Sequence, residues 1–339
     1  MSVVMIFNGY SFEERHFNVG DIEELEVDDA IFVLGWESRC MEFARSGAIK
    51  GKRAYGIRFL DDGMGERQEH ELEALLSESF DDFELRRFTS AQDRTSWEGE
   101  LDGFIAELAK RADSLTCFVD YTIMPKAMTQ TLYRMLLSRD SYPKIHWGYC
   151  EGIYSSAAGN LTFDQGVADQ FFPIRFAQGK GGTSVERAVI AGIGGDVKLI
   201  SDLLDGPDYD HVFVISAKSG GSPELFKTAH EQKARIMREH HVPETNFRET
   251  SAHSVNDCIL EYLSIVRALP RECAIEILAT GPKPQAVAAC AIAEKFEGSV
   301  SLLGRVPKKY SRHDVRASGN VSISTVSNFC NPDIRHLLP

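Results

Sequence analysis

A turn that begins at Thr280 carries residue types that are typical of a phosphate site. The Thr280 hydroxyl can donate a hydrogen bond, Gly281 lets the backbone approach a ligand closely, and Lys283 supplies a positive charge. Pro284 is typical of the first turn of a helix, and residues 285–296 have helical spacing. We therefore predict that Thr280, Gly281 and Lys283 bind a phosphate at the start of a helix.

An earlier turn repeats this chemistry and adds a carboxylate. Residues 120–126 keep a hydroxyl at Thr122, a proline and a lysine at Lys126, and they begin with Asp120. Asp120 could act as a general base while the lysines stabilise phosphate charge, or it could pair internally with Lys126. Asp120, Lys126 and Lys283 are the candidate catalytic residues. Thr122 and Lys126 are also candidates for ligand binding.

Three glycines, Gly192, Gly194 and Gly195, follow another predicted strand. Without side chains there, an anion could approach the backbone amides at the N-terminus of the next helix, although the same residues could simply form a tight turn. They do not complete a dinucleotide fingerprint, because Val197 stands where the third glycine belongs. We therefore predict no nicotinamide or flavin cofactor.

Gly35, Trp36 and Arg39 follow the first strong strand of the chain. The Trp36 ring could stack on a nucleotide base and the Arg39 guanidinium could pair with a phosphate. Trp36 could equally be buried between domains, and Arg39 could pair with Glu37 or Glu42. All three residues are retained as candidates for ligand binding.

Three segments recur in the same order about 158 residues apart. Residues 31–35 resemble 189–192, residues 54–59 resemble 212–217, and residues 118–122 resemble 276–280. A period of this length, far longer than a solenoid unit, indicates a duplicated domain.

Strands and helices alternate through both copies. Strands are predicted at 30–34, 53–59, 83–88, 115–120, 145–150, 188–191, 211–216, 246–249, 274–278 and 300–303, and helices at 39–48, 66–79, 97–112, 126–137, 223–240, 255–268 and 285–296.

This alternation predicts an α/β protein with two Rossmann-like parallel-sheet domains related by internal duplication. The predicted domains cover 1–154 and 187–339, with a linker over 155–186 and an added strand at 319–326 in the second domain. In such sheets a ligand lies beyond the carboxyl ends of the strands, where the turns described above are located.

Composition excludes several classes of protein. A net charge of −13 over 339 residues opposes binding to duplex DNA. The apolar run at 3–7 is too short for a signal peptide, and no stretch is long enough to cross a membrane, so we expect a cytoplasmic protein. The seven cysteines include no Cys-x-x-Cys pair, and Ala234 replaces the second histidine that would complete His230-Glu231 as a zinc motif. No metal and no cofactor are predicted.

Each copy resembles the CARF domain, the CRISPR-associated Rossmann fold that senses cyclic oligoadenylates in type III CRISPR and related defence systems. In that family the turn after the fourth strand often reads Thr-Gly-Gly-Thr-Lys. Here the turn is one residue shorter, and Thr280, Gly281 and Lys283 match it. The family's other ligand loop corresponds to 192–196 and, through the repeat, to 35–39.

The resemblance implies a sensor of a cyclic oligonucleotide, or of another phosphorylated nucleotide signal, in prokaryotic antiviral defence. CARF domains commonly dimerise and bind ligand across their two-fold axis, so a tandem pair could form a pseudo-dimer within one chain and pass its state to a protein effector. Two alternatives stay open: a metal-independent ring nuclease or related phosphodiesterase that degrades the signal, and a structural subunit of a defence complex.

Overall fold

The computed structural model describes most of the chain. The described ranges are 3–7, 9–60, 66–111, 116–138, 142–153, 171–174, 186–194, 199–218, 223–306 and 315–328. Within them, no helix combines the length and the hydropathy needed to span a bilayer.

Strands and helices alternate as the sequence predicts. The strands are β1 (Val3–Phe7), β2 (Tyr10–Asn18), β3 (Leu25–Leu34), β4 (Ile49–Phe59), β5 (Phe80–Phe88), β6 (Thr116–Asp120), β7 (Lys144–Ile153), β8 (Phe172–Pro173), β9 (Arg187–Gly192), β10 (His211–Ala217), β11 (Phe247–Thr250), β12 (Ala274–Leu278), β13 (Val300–Gly304) and β14 (Arg316–Asn328). The helices are α1 (Glu42–Ser46), α2 (Glu66–Ser79), α3 (Arg94–Leu108), α4 (Lys126–Ser138), α5 (Leu199–Leu204), α6 (Pro223–Glu239), α7 (Val255–Ala268) and α8 (Lys283–Lys295).

Local sequence explains why these elements form. The central strands are apolar because both faces of a parallel sheet are covered, and residues 29–34 of β3 and 188–192 of β9 are all buried. Asp93 caps α3 by accepting a hydrogen bond from the backbone N–H of Ser96. Ser254 caps α7 in the same way.

The two halves of the chain share one topology. In the described residues, the first sheet has eight strands in the order β1-β2-β14-β7-β6-β3-β4-β5, and the second has six in the order β11-β10-β9-β12-β13-β8. Each contains a parallel five-stranded core whose strands, numbered along the chain, lie in the order 3-2-1-4-5. The predicted fold class is confirmed, and the common strand order agrees with a duplicated domain.

The strand that follows each core pairs with the other half of the chain. β14 follows β13 in sequence but lies antiparallel to β7 and β2 in the first sheet. β8 follows β7 in sequence but lies antiparallel to β13 in the second sheet. The prediction that residues 319–326 belong to the second domain is therefore wrong, and the predicted linker 155–186 includes a strand. Periodicity identifies a strand but not its partner, so the sequence could not show this exchange.

The halves also share a hydrophobic core. One cluster of buried residues includes Tyr133 and Trp147 from the first half and Tyr262 and Ala288 from the second. Helix α4 packs against α8. The two parallel cores are therefore parts of one packed body.

A buried carboxylate joins the two halves at a second place. Glu14 in β2 is 2% exposed and accepts hydrogen bonds from the Ser254 Oγ at 2.5 Å and the Val255 backbone N at 2.7 Å. It also accepts one from the Ser324 Oγ of β14 at 2.9 Å. A carboxylate at the N-terminus of α7 is favourable for the helix dipole, and it ties α7 to the first sheet.

Candidate ligand site at the junction of the two halves

The candidate residues lie in turns that follow the first and fourth strands of each parallel core. These two strands are neighbours, and the order of the strands along the chain reverses between them. In the first sheet these neighbouring strands are β3 and β6, and in the second they are β9 and β12. Helices that follow such a pair lie on opposite faces, which leaves a crevice at the carboxyl ends. The turns that follow β6 and β12 contact each other where α4 packs against α8.

Two lysines cross between the halves at this contact. The Lys126 Nζ, at the first residue of α4, donates to the Thr280 carbonyl oxygen at 2.7 Å. The Lys283 Nζ, at the first residue of α8, donates to the Met124 carbonyl oxygen. Each lysine therefore reaches into the turn that precedes the other lysine, and both are half-buried. The structure brings together two turns that are 158 residues apart in sequence.

Neighbouring charges act on Lys283. Burial lowers its pKa well below the usual range, and the charges of Lys126 and Arg39 lower it further, while Glu37 and Asp120 act in the opposite direction. We call this group, Lys126, Lys283, Arg39, Glu37 and Asp120, the junction site. An anion placed between the lysines would relieve their mutual repulsion.

Asp120 is the most deeply buried of these charged groups, with 1% of its surface exposed. Its Oδ1 accepts a hydrogen bond from the Thr122 backbone N at 3.0 Å, and its Oδ2 has no hydrogen-bond partner in the described part of the chain. Burial raises the pKa of Asp120 to about 7, although hydrogen bonds from Thr122 and the charges of Arg39 and Lys283 act to lower it. The repeat places Leu278 at the corresponding position, so only the first half has this carboxyl.

The substitution Asp120→Asn is expected to change how stability depends on pH. Because folding raises the pKa of Asp120, its contribution to stability is complete below the unfolded pKa and is lost as the pH rises through about 7. From about pH 5 to about pH 8 the wild type should lose about 2–3 kcal/mol through this group, and the variant should not. Urea denaturation of both proteins across this range measures the difference, and a difference independent of pH would contradict this expectation.

Arg39 forms an ion pair with Glu37, which is one of the two interpretations of Arg39 given by the sequence. It is 3% exposed, and its Nε donates to the Glu37 carboxylate at 2.6 Å. One terminal nitrogen also donates to the Cys150 carbonyl oxygen at 3.0 Å. Arg39 therefore contributes its charge to the junction site from below the surface. Trp36, which is partly exposed, lies three residues before it.

The hydroxyl of Thr122 also has an internal partner. Thr122 is fully buried, and its Oγ1 accepts a hydrogen bond from the Cys150 backbone N at 2.9 Å. Gly35 lies beside the same turn, and a Cβ at Gly35 would collide with the Ile123 side chain. These two residues thus fix the position of the turn that ends at Lys126.

The glycines of the second half make room for protein atoms. A Cβ at Gly192 or Gly281 would collide with the Gln285 side chain, and a Cβ at Gly194 would collide with the Thr280 carbonyl. The Thr280 hydroxyl donates to the Gly192 carbonyl oxygen. The Gln285 side chain and the Thr280 backbone occupy the space beside these glycines. The predicted approach of an anion to the backbone at Gly192, Gly194 and Gly281 therefore does not fit this arrangement. Gly195 lies outside the described residues.

Sequence reasoning missed Gln285, and it named Glu37 only as a partner for Arg39, which the structure shows. Gln285 is fully buried, and its Oε1 has no hydrogen-bond partner in the ranges that the structure describes. The available signal was a polar side chain in a helix otherwise rich in alanine. Across those same ranges, no group of histidine, cysteine or acidic residues is arranged to hold a metal ion.

Comparisons with known proteins leave the site to be interpreted from its own geometry. No family model matches the chain, and no curated protein matches it. Among solved structures, a functionally unknown protein from Pseudomonas aeruginosa PAO1 is similar, with 11% identity and a TM-score of 0.23, over 83% of this chain and 93% of that chain.

Proposed function

We propose that the chain binds a cyclic oligonucleotide, or another phosphorylated nucleotide signal, at the junction site. The observation that carries this proposal is the reciprocal crossing of Lys126 and Lys283 at the carboxyl ends of both sheets. Each half supplies one lysine and one turn. A single ligand would therefore contact both halves at once.

The partners of the two lysines favour an anionic ligand. Each Nζ donates a hydrogen bond to a neutral backbone carbonyl, Lys126 to that of Thr280 and Lys283 to that of Met124. A hydrogen bond to an ionised oxygen is roughly twice as strong as one between neutral groups, so phosphate oxygens can replace these acceptors. The lysines also begin helices α4 and α8, and the N-terminus of a helix attracts negative charge.

The shape of the junction favours a ligand with repeated phosphates. Each lysine is the first residue of the helix that follows the fourth strand of its core, so the duplicated cores present the same group twice. A ring of nucleotides offers phosphates in the same repeated fashion. Binding would alter the contact between α4 and α8 and thus the shared core, which is a route to a protein effector in prokaryotic antiviral defence.

Replacing either lysine should weaken binding without removing the fold. Lys126→Met and Lys283→Met each delete one hydrogen bond to a charged group, worth about 1.5–3 kcal/mol or roughly 10- to 100-fold in Kd. Isothermal titration of the full chain with cyclic tetraadenylate measures this loss. Lys110→Met, at an exposed lysine after α3, is the control and should bind like the wild type.

The same titration separates the alternative functions. A sensor leaves cyclic tetraadenylate intact, whereas a ring nuclease converts it to linear product that chromatography detects. The feature that favours a nuclease is the Asp120 carboxyl, with a pKa of about 7 and close to Lys283. Its burial places it away from solvent, and we therefore expect intact ligand.

Two outcomes of the titration would count against the proposal. Tight binding by both lysine variants would contradict the proposed site, and no binding by the wild type or the variants would favour a structural subunit.

A further inference from the structure

The duplicated junction is symmetric in its lysines but not in its carboxylate. Asp120 ends β6, immediately before the turn whose Met124 carbonyl accepts Lys283. Its counterpart in the second half is Leu278. The Oδ2 of Asp120 is buried and has no hydrogen-bond partner in the described ranges, which disfavours the ionised form of this carboxyl.

Charged and titratable groups from several neighbouring elements interact with Asp120. The stretch after β3 contributes Arg39 and Cys40, β7 contributes Cys150, and α8 contributes Lys283. Tyr121, the next residue, is also affected by the charge of Asp120. Burial raises the pKa of both thiols to about 12, so they stay neutral near neutral pH. Asp120, with a pKa of about 7, is the group of this set that titrates there, and the pKa of Lys283 lies below its usual range.

We propose that protonation of Asp120 sets the affinity of the junction site for its anionic ligand, an inference that rests on the proposed function. When Asp120 is ionised, it attracts Lys283 and repels a phosphate. When it is neutral, Lys283 is available to the ligand and the repulsion is gone. Above neutral pH, binding therefore takes up one proton from solvent onto the Asp120 carboxyl. The pKa of about 7 that burial gives this group places the change in the physiological range.

The first test is a titration of the full chain with cyclic tetraadenylate, whose phosphodiesters stay ionised throughout. From about pH 7 to about pH 8 the affinity of the wild type should fall by up to tenfold, with uptake approaching one proton per ligand. Repeating the titration in two buffers of different ionisation enthalpy gives the number of protons. Asp120→Asn should bind at least as tightly as the wild type at about pH 8 and show a flatter profile. An equal pH profile in Asp120→Asn would assign the proton to Lys283 and overturn the proposal.

A second test needs no ligand. Acetylation of Lys283 by acetic anhydride, followed by peptide mass spectrometry, measures the fraction of this amine that is unprotonated. Because an ionised Asp120 stabilises the charged form of Lys283, Asp120→Asn should react several-fold faster at about pH 8, with Lys110 as the internal reference. Equal rates in the two proteins would overturn the inference even if cyclic tetraadenylate does not bind, whereas a faster rate without binding would contradict the proposed function alone.

Discussion

We expect two separately produced fragments, 1–180 and 181–339, to be insoluble or unfolded. They should form the native structure only when they are produced together. The first fragment lacks β14, which lies between β2 and β7 in the interior of the first sheet. The second lacks β8, which pairs with β13. Each fragment would also expose its part of the shared core. An unpaired strand edge and exposed apolar surface both promote aggregation.

Co-expression of the two fragments provides the control. With both present, β14 can occupy its place in the first sheet, and the fragments should purify as a one-to-one complex with the circular dichroism spectrum of the intact chain. Two independently folded fragments, each with a cooperative thermal transition, would contradict the exchange of strands. That result would also restore the domain boundary predicted from the sequence.

Glu14→Ala should be the most destabilising single substitution at the junction of the halves. It leaves the Ser254 hydroxyl, the Val255 amide and the Ser324 hydroxyl without the acceptor that they now share. An orphaned buried donor costs about 1–3 kcal/mol, so we expect the free energy of unfolding to fall by about 3 kcal/mol or more. Chemical denaturation of the wild type and the variant measures this change.

The adjacent residue supplies a matched control. Glu13 pairs with Arg15 at 2.7 Å, and both side chains are substantially exposed to solvent. Glu13→Ala should therefore cost no more than about 1 kcal/mol, as is usual for a surface ion pair. Glu14→Gln keeps one acceptor and should give an intermediate loss. Equal losses for Glu13→Ala and Glu14→Ala would mean that Glu14 does not hold the halves together.

The sequence predicted the local elements closely because periodicity is a local property. The helix predicted at 126–137 is found at Lys126–Ser138, and the strand predicted at 211–216 is found at His211–Ala217. The duplication was visible for the same reason, since both copies repeat the same order of strands. The N-terminal hairpin β1-β2 was missed, although its first strand is the apolar run at 3–7.

The sequence could not predict the surroundings of the glycines or the crossing of the lysines, because both depend on contacts between residues that are distant in the chain. A glycine after a strand can admit a ligand or a neighbouring side chain, and the Gln285 side chain that fills the space beside Gly192 lies 93 residues away in sequence. The crossing of Lys126 and Lys283 likewise depends on how the halves meet. The turn sequences singled out the two lysines, but only the packing of α4 on α8 brings them together.

Hydrogen–deuterium exchange of the full chain, with and without cyclic tetraadenylate, tests most directly whether one anionic ligand joins both halves. We expect one ligand per chain, with slower exchange in the peptide that covers 121–126 and in the peptide that covers 280–285. Protection confined to one half, or binding that leaves both turns unchanged, would contradict it.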